Sequence, residues 1–297
     1  MGTFVGHLVP GLTLALLGLW HIYNIIRAHL LKGKAGCIYR FNYPFKSILF
    51  EFKHLELILI FSFSILTIVL QIFDYPQLKF SFKCDNFEHA TMFLHLAIYA
   101  GVALSVELMA YSPGIFRGLV GVLVISVFSQ ELLLLHYHSV DHVGLEGHYH
   151  WLLQLIVVAS LVSAVAMTSS PSSFTAAFVL STSVVFQGCW FMNMGFTLWN
   201  PSFVPKGCAM RMDSDDNMHG AVACDTAEAT GRAKTLANLQ FSWILGGILI
   251  FTASLCLALG GKFVNTRRLS EYEQLQIRVV DVTPISVDVD GAIIDSK

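Results

Sequence analysis

Residues 149–168 read Tyr149-His-Trp-Leu-Leu-Gln-Leu-Ile-Val-Val-Ala-Ser-Leu-Val-Ser-Ala-Val-Ala-Met-Thr168, a run without one Asp, Glu, Lys or Arg. A hydrocarbon core about 30 Å thick needs roughly 20 apolar residues in a helix that rises about 1.5 Å per residue. This run therefore reads as one membrane crossing. The same ruler finds six more, at residues 5–27, 54–73, 89–112, 117–137, 174–197 and 237–261. Lipid offers the backbone no hydrogen bonds, so each crossing must satisfy its own peptide groups as a helix. The expected fold class is all-α, a polytopic membrane protein built as a seven-transmembrane-helix bundle.

Composition points the same way. Of 297 residues, 55% are hydrophobic and 13% charged, where a soluble domain carries about 25% charged residues. The net charge of -2 and the lack of any Lys/Arg cluster argue against a nucleic-acid partner. The partner expected is the lipid bilayer. No internal repeat, Pro-rich linker or second soluble domain is visible, so residues 1–263 form the bundle and 264–297 a polar tail with little helical periodicity. The tail holds Tyr272-Glu-Gln-Leu275, a pattern that endocytic adaptors read, but one short enough to be ordinary tail sequence. About a dozen residues join the fourth and fifth spans, which makes those helices adjacent and antiparallel.

Seven crossings put the two ends of the chain on opposite faces. The face of the N-terminus carries six basic residues, Lys79, Lys83, Lys206, Arg211, Arg232 and Lys234. The other face carries twelve, of which ten lie near the membrane. Positive-inside bias then places the C-terminus in the cytosol and the N-terminus outside or in a lumen. The first span has its basic flank after it (Arg27, Lys32, Lys34), the reverse of a cleaved signal peptide, and is expected to remain. Cys84, Cys208 and Cys224 fall on the exoplasmic face. Cys208 and Cys224 share the longest loop, residues 198–236, and can cross-link it in an oxidising compartment. Cys84 is the rival partner.

The chemistry-bearing side chains gather on that same face. The run Glu131-Leu-Leu-Leu-Leu-His-Tyr-His-Ser-Val-Asp-His-Val-Gly-Leu-Glu-Gly-His-Tyr-His150 holds five histidines and three carboxylates. Eight of the twelve histidines belong to this face: His7, His89, His136, His138, His142, His148, His150 and His219. Helical spacing decides which of them converge. Glu131 and His138 are seven apart and share a helix face. His136 is about 200° round from His138, and the same angle separates His148 from His150. The plausible set is His7, His89, His138 and one of His148 or His150, with Glu131 deeper in the bundle. Any one interfacial histidine is more simply an amphipathic boundary residue, and His21, His29, His54, His95 and His136 are left there. An intramembrane carboxylate is costly unless paired, so Glu131 needs a partner in any case. Gln154 and Gln187 suit hydrogen bonds between helices, and Glu56 and Glu107 suit pairing with each other or with basic loop residues.

Four segments in order, Gly6-His7-Leu-Val-Pro-Gly11, Glu88-His-Ala-Thr-Met92, Glu131 through His138 to Leu145-Glu-Gly-His148-Tyr-His150, and Phe186-Gln-Gly-Cys-Trp190, resemble the transmembrane protein 45 family. This group is catalogued as domain of unknown function 716 and has plant and animal members. The resemblance covers essentially residues 1–263, and Ser139-Val-Asp141-His142-Val-Gly is similar to the longer, plant-type form. It implies a seven-helix protein of the secretory or endosomal system, in the plasma membrane or in Golgi or endosomal membranes. It marks His7, His89, Glu131, His138, His148, His150 and Gln187 as family-pattern positions.

Three functions are compatible with these residues. The first is a transition-metal site, most readily Zn²⁺, with His7, His89, His138 and His150 as ligands, His148 as alternate and Glu131 below as proton acceptor. Neutral imidazoles beside a carboxylate suit zinc. An open coordination position would let the metal activate water for hydrolysis of a lipid amide or ester. In that case a lipid is the substrate and Glu131 the catalytic carboxylate. The second is a metal transporter or sensor using the same cluster as a loading site. The third is a structural or trafficking protein whose metal only staples helices. A homo-oligomer is compatible with all three.

Overall fold

The computed structural model describes residues 3–32, 37–46, 51–74, 79–80, 84–109, 113–141, 144–212 and 219–281. Among the described residues, seven helices are long and apolar enough to cross a membrane: α1 (Phe4–Lys32), α2 (Leu55–Ile72), α3 (Cys84–Met109), α4 (Pro113–Asp141), α5 (Leu145–Ser169), α6 (Phe174–Trp199) and α7 (Ala227–Asp281). The all-α polytopic architecture is thus observed. Short antiparallel strand pairs lie between helices: β1 (Phe45–Lys46) with β2 (Glu51–Phe52), β3 (Phe73–Asp74) with β4 (Lys79–Phe80), and β5 (Cys208–Met212) with β6 (His219–Cys224).

Helix limits follow from local chemistry. Pro113 opens α4, where its missing N–H costs nothing and its fixed φ suits the first turn. Ser173 caps α6 by accepting from the Ala176 amide at 3.2 Å. Pro10 lies inside α1 and removes one backbone donor. Membrane helices tolerate such a break because neighbouring groups compensate.

The chain divides into two compact units, Met1–Ala253 and Ser254–Lys297. In the first, α1 packs most extensively on α6, although some 140 residues separate them in sequence. Small residues line that seam. A β-carbon added to Gly18 would meet the Val185 amide nitrogen at 2.7 Å and the Ser181 carbonyl at 2.9 Å. Backbones this close maximise dispersion contact where lipid supplies no hydrophobic drive between helices. The neighbours α2–α3, α3–α4, α4–α5 and α5–α6 pack in turn. Ser160 and Ser183 hydrogen-bond between α5 and α6 at 2.8 Å. Outward-facing apolar residues such as Trp243, 79% exposed, and Ile250, 71% exposed, cover the surface that lipid would solvate.

Two features depart from expectation. The connection from α4 to α5 is only residues 142–144, because α4 continues beyond the apolar run to Asp141 and α5 restarts at Leu145. The second is that α7 continues through the polar segment to Asp281. Residues 270–278 are rich in Glu, Gln, Leu and Arg, good helix formers, and no Pro intervenes before Pro284. Helix propensity without an apolar face thus replaces the irregular tail expected there. The segment after α1 also packs on the bundle. Cys37, Tyr39 and Tyr43 are buried. The Tyr39 amide donates to the Pro171 carbonyl at 2.8 Å, and Tyr99 Oη donates to the Phe41 carbonyl at 2.7 Å. Burial pushes the Tyr43 phenol well above its usual range, so it stays neutral.

Glu56 anchors this packed segment. Its carboxylate accepts from Trp20 Nε1 at 3.0 Å, His21 Nε2 at 2.8 Å and the Tyr43 amide at 2.9 Å. Glu107 pairs instead with Arg40 at 3.5 Å. The two carboxylates therefore do not pair with each other; each finds a partner from the α1–α2 connection or from α1 itself.

Candidate functional site

His7 stands on the second turn of α1 and His150 on the second turn of α5, and both are buried, at 5% and 4% exposure. Their ring centroids are 6.5 Å apart in an edge-on arrangement. The two helices bring them together through α6, which packs on each. Gly195 of α6 makes the room: a β-carbon there would stand 3.1 Å from His7 Cβ. Four residues on, Trp199 stacks on the His7 ring at a centroid distance of 4.2 Å, and Phe191 lies at 6.0 Å.

The two imidazoles are tethered alike. His7 Nδ1 lies 3.0 Å from the Thr3 carbonyl and His150 Nδ1 lies 2.9 Å from the Glu146 carbonyl, each four residues back on its own helix. A carbonyl oxygen only accepts, so Nδ1 carries the proton in both rings. In the neutral form the lone pair then sits on Nε2. Metal-ligating histidines are commonly held this way, with the second nitrogen donating to a backbone carbonyl.

His148, the other member of the α5 pair, points elsewhere. Its Nε2 is 2.9 Å from Asn238 Oδ1 on α7, and its ring stacks on Trp151. Of the two histidines separated by helical angle, His150 is the buried one. His89 is half-buried near the start of α3. The side chain of His138 lies outside the described residues, as do His142 and the side chains of His219 and Cys84. Among the described residues, no three His, Cys, Asp or Glu side chains come close enough to hold a metal ion together. Two of the five expected ligands, His7 and His150, are thus adjacent, and His148 is committed to Asn238.

Glu131 has its partner. Gln187 Nε2 on α6 donates to the Glu131 carboxylate on α4, and Gln187 is 2% exposed. Gln187 is four residues before Phe191, about one helical turn, so this pair lies about a turn deeper than the ring against His7. Among the described residues, Gln187 Oε1 has no hydrogen-bond partner.

The polar groups of Tyr149, Asn193 and Gln240 were not singled out by sequence. Tyr149 Oη donates to Gln240 Oε1 at 2.6 Å, Asn193 Nδ2 donates to the same oxygen at 3.1 Å, and Trp190 Nε1 donates to the Tyr149 carbonyl at 3.1 Å. This network ties α5 and α6 to α7. His136 and Gln154 line a cleft of about 460 Å³ between α4 and α5, with Ser129, Leu132, Leu133 and Leu161. Trp199, at the end of α6, is buried against His7. The available signal was spacing: Gly188 and Gly195 are seven apart on one face, and Trp199 continues that face four residues later.

Beyond these residues, Cys208 and Cys224 form a disulfide that closes the β5–β6 hairpin, where they are directly paired. Strand β6 packs on α5 and α6. Over residues 117–257, from α4 into α7, the chain matches the family described as Family of unknown function (DUF716), in agreement with the resemblance its motifs carry. Glu131, His148, His150, Gln187 and Trp199 fall within that match, whereas His7 and His89 precede it.

Proposed function

We propose that this multi-pass membrane protein holds a zinc ion between α1 and α5, with His7 and His150 as two ligands and His138, from the end of α4, as the third. The observation that carries this reading is the pair of buried imidazoles with both Nδ1 protons tied to main-chain carbonyls. Imidazole suits zinc, and no thiolate stands in the set. The metal would join the first helix to two helices from the middle of the chain. His148, engaged with Asn238, then serves the α5–α7 contact and not the metal.

A hydrolytic role for the metal is favoured by one further observation, the interior carboxylate of Glu131 about a turn below. In that reading His7, His150 and His138 would hold the zinc, which would supply an activated water; Glu131 would serve as the proton acceptor, and the substrate would be a lipid amide or ester at the membrane surface. The site belongs to the exoplasmic face, of the plasma membrane or of Golgi or endosomal membranes. Supporting this are the smaller number of basic residues on that face and the Cys208–Cys224 disulfide in its α6–α7 connection, since disulfides persist in oxidising compartments.

Elemental analysis of the purified full chain tests the metal. About one zinc per chain is expected, with loss in His7→Ala and His150→Ala and retention in His95→Ala. A wild type with no more zinc than His150→Ala after zinc loading rejects the reading. Release of fatty acid from lipid amides or esters by the zinc-loaded protein separates hydrolysis from a purely structural metal.

A further inference from the structure

The cleft between α4 and α5 contains none of the residues proposed above to bind zinc. It has a volume of about 460 Å³ and is lined by Ser129, Leu132, Leu133 and His136 of α4 and by Gln154 and Leu161 of α5. One end is marked by a contact between the helices: Gln154 Nε2 donates to the Leu135 carbonyl at 3.3 Å, and His136 Nδ1 lies 3.4 Å from Gln154 Oε1. From that level the helices run antiparallel. Ser129 and Leu161 each stand seven residues further from the α4–α5 connection, so the cleft extends along the helices for about 10 Å. That is roughly two-thirds of one leaflet of a hydrocarbon core about 30 Å thick. Ser129, Leu133 and His136 are exposed, so the cleft opens sideways onto the surface that lipid would solvate.

The lining decides what fills this space. None of the six residues is Asp, Glu, Lys or Arg, so no fixed charge there calls for a charged ligand. Space walled by Leu132, Leu133 and Leu161 does not hold water, which needs two or more polar partners. About two helical turns are too short to seat a partner helix, whose packing runs along much of the span. Left empty, the leucine walls would forfeit dispersion contacts. We infer that the α4–α5 cleft binds one acyl chain of a bilayer lipid, its apolar part against Leu132, Leu133 and Leu161 and its uncharged ester or amide junction level with His136 and Gln154. Gln154 is one turn from His150 on α5, so a chain held here brings that junction toward the buried histidine pair. The binding itself needs no metal, because the six lining residues and the proposed ligand set share no member.

Photolabelling of the full-length protein in nanodiscs tests this, with phosphatidylcholine carrying a diazirine on one acyl chain as the probe. Labelled positions are mapped by mass spectrometry of peptides. Val158 and Val162 are the reference, exposed on α5 at the level of the cleft but outside it. Labelling at Leu132, Leu133 and Leu161 is expected to exceed theirs by about fivefold or more. Leu133 is exposed, so Leu133→Trp fills the cleft without entering the bundle interior and should remove that excess. Leu161→Trp should do the same from the opposite wall, and both should leave Val158 and Val162 labelled as before. A cleft labelled no more than the two valines in the wild type holds ordinary boundary lipid only and overturns the inference before any variant is made. An excess that survives both tryptophan variants overturns it too. Zinc content measured on the same samples keeps the two readings apart: focused labelling in a protein that binds no zinc supports the cleft and rejects the metal.

Discussion

A β-carbon on Gly11 of α1 would stand 2.8 Å from the carbonyl oxygen of Gly188 on α6. Both atoms that would have to part belong to helices, so no side chain can rotate away to relieve the contact. The interface that places His7 under Trp199 therefore depends on hydrogen-sized side chains at these two positions. Gly11→Ala and Gly188→Ala should each lower stability by about 1–3 kcal/mol, the range for overpacking a close-packed site. Gly246→Ala is the control: nothing lies within 4 Å of its added carbon, and helix propensity favours alanine by about 0.5–1 kcal/mol. Thermal unfolding in detergent should show the seam variants melting lower and Gly246→Ala unchanged or higher. Equal shifts in all three would remove the argument for the seam.

The Glu131–Gln187 bond joins α4 to α6 in the bundle interior. Gln187→Leu leaves the carboxylate without that donor and should cost about 1.5–3 kcal/mol. Replacing both by leucine removes the demand together with the donor. Glu131→Leu/Gln187→Leu should therefore be more stable than the sum of the single changes predicts. A double-mutant cycle read by unfolding in detergent measures this coupling, and additive effects would show that the two side chains do not depend on each other.

How far the sequence reveals this structure depends on which physical rule sets each part. Bilayer thickness fixes the length of an apolar run, so the seven crossings are legible in residues such as 149–168. Helical angle likewise separates His148 from His150, and the structure buries the latter and turns the former to Asn238. Pairings across long separations leave no such local mark. The Gly11–Gly188 seam joins positions far apart in the chain, and Glu56 finds Trp20, His21 and Tyr43 through a connection that reads as ordinary loop. Trp199 stands at the end of α6, and only its packing on His7 shows that it is buried. The continuation of α7 to Asp281 was hidden because helix propensity without amphipathic spacing does not stand out in a pattern search.

Glu56 should be the most sensitive residue on the face opposite His7. Glu56→Ala would leave Trp20 Nε1, His21 Nε2 and the Tyr43 amide without their shared acceptor, a loss of about 3 kcal/mol or more. The Arg40–Glu107 pair is far more exposed, and Glu107→Ala should cost no more than about 1 kcal/mol. Limited proteolysis between residues 37 and 46 reads the difference directly. Cleavage should accelerate in Glu56→Ala and not in Glu107→Ala; equal protection in both would mean that Glu56 does not anchor this segment.

The disulfide serves both stability and topology. Cys208 and Cys224 are 16 residues apart, and a loop of that size is worth about 3 kcal/mol in the chain-entropy treatment. Cys208→Ser/Cys224→Ser should melt lower than the wild type, whereas Cys189→Ser should not. In sealed membranes, a thiol reagent that cannot cross the bilayer should find neither cysteine free from the lumenal side. A C-terminal tag should be digested when protease is added from the cytosolic side. A protected tag, or free thiols at both positions, would reverse the proposed orientation.

The metal itself makes the last prediction. A ligand that binds only the folded chain adds stability by mass action, roughly 2.7 kcal/mol at a hundredfold excess over its dissociation constant. Chelation should therefore lower the melting temperature of the wild type, and much less that of His7→Ala or His150→Ala, which have no metal to lose. His148→Ala should respond like the wild type, since its ring is engaged with Asn238. Protonated imidazole cannot ligate, so acid must compete with zinc. The sign follows: zinc-derived stability is present where imidazoles are neutral and falls away as pH drops toward and below the ordinary imidazole value of about 6.5. Titrating the chelator-sensitive part of the melting temperature between neutral and mildly acid pH measures this. A chelator effect that is the same in wild type and His150→Ala, or that grows as pH falls, is incompatible with an imidazole-held metal and would return His7 and His150 to packing residues beneath Trp199.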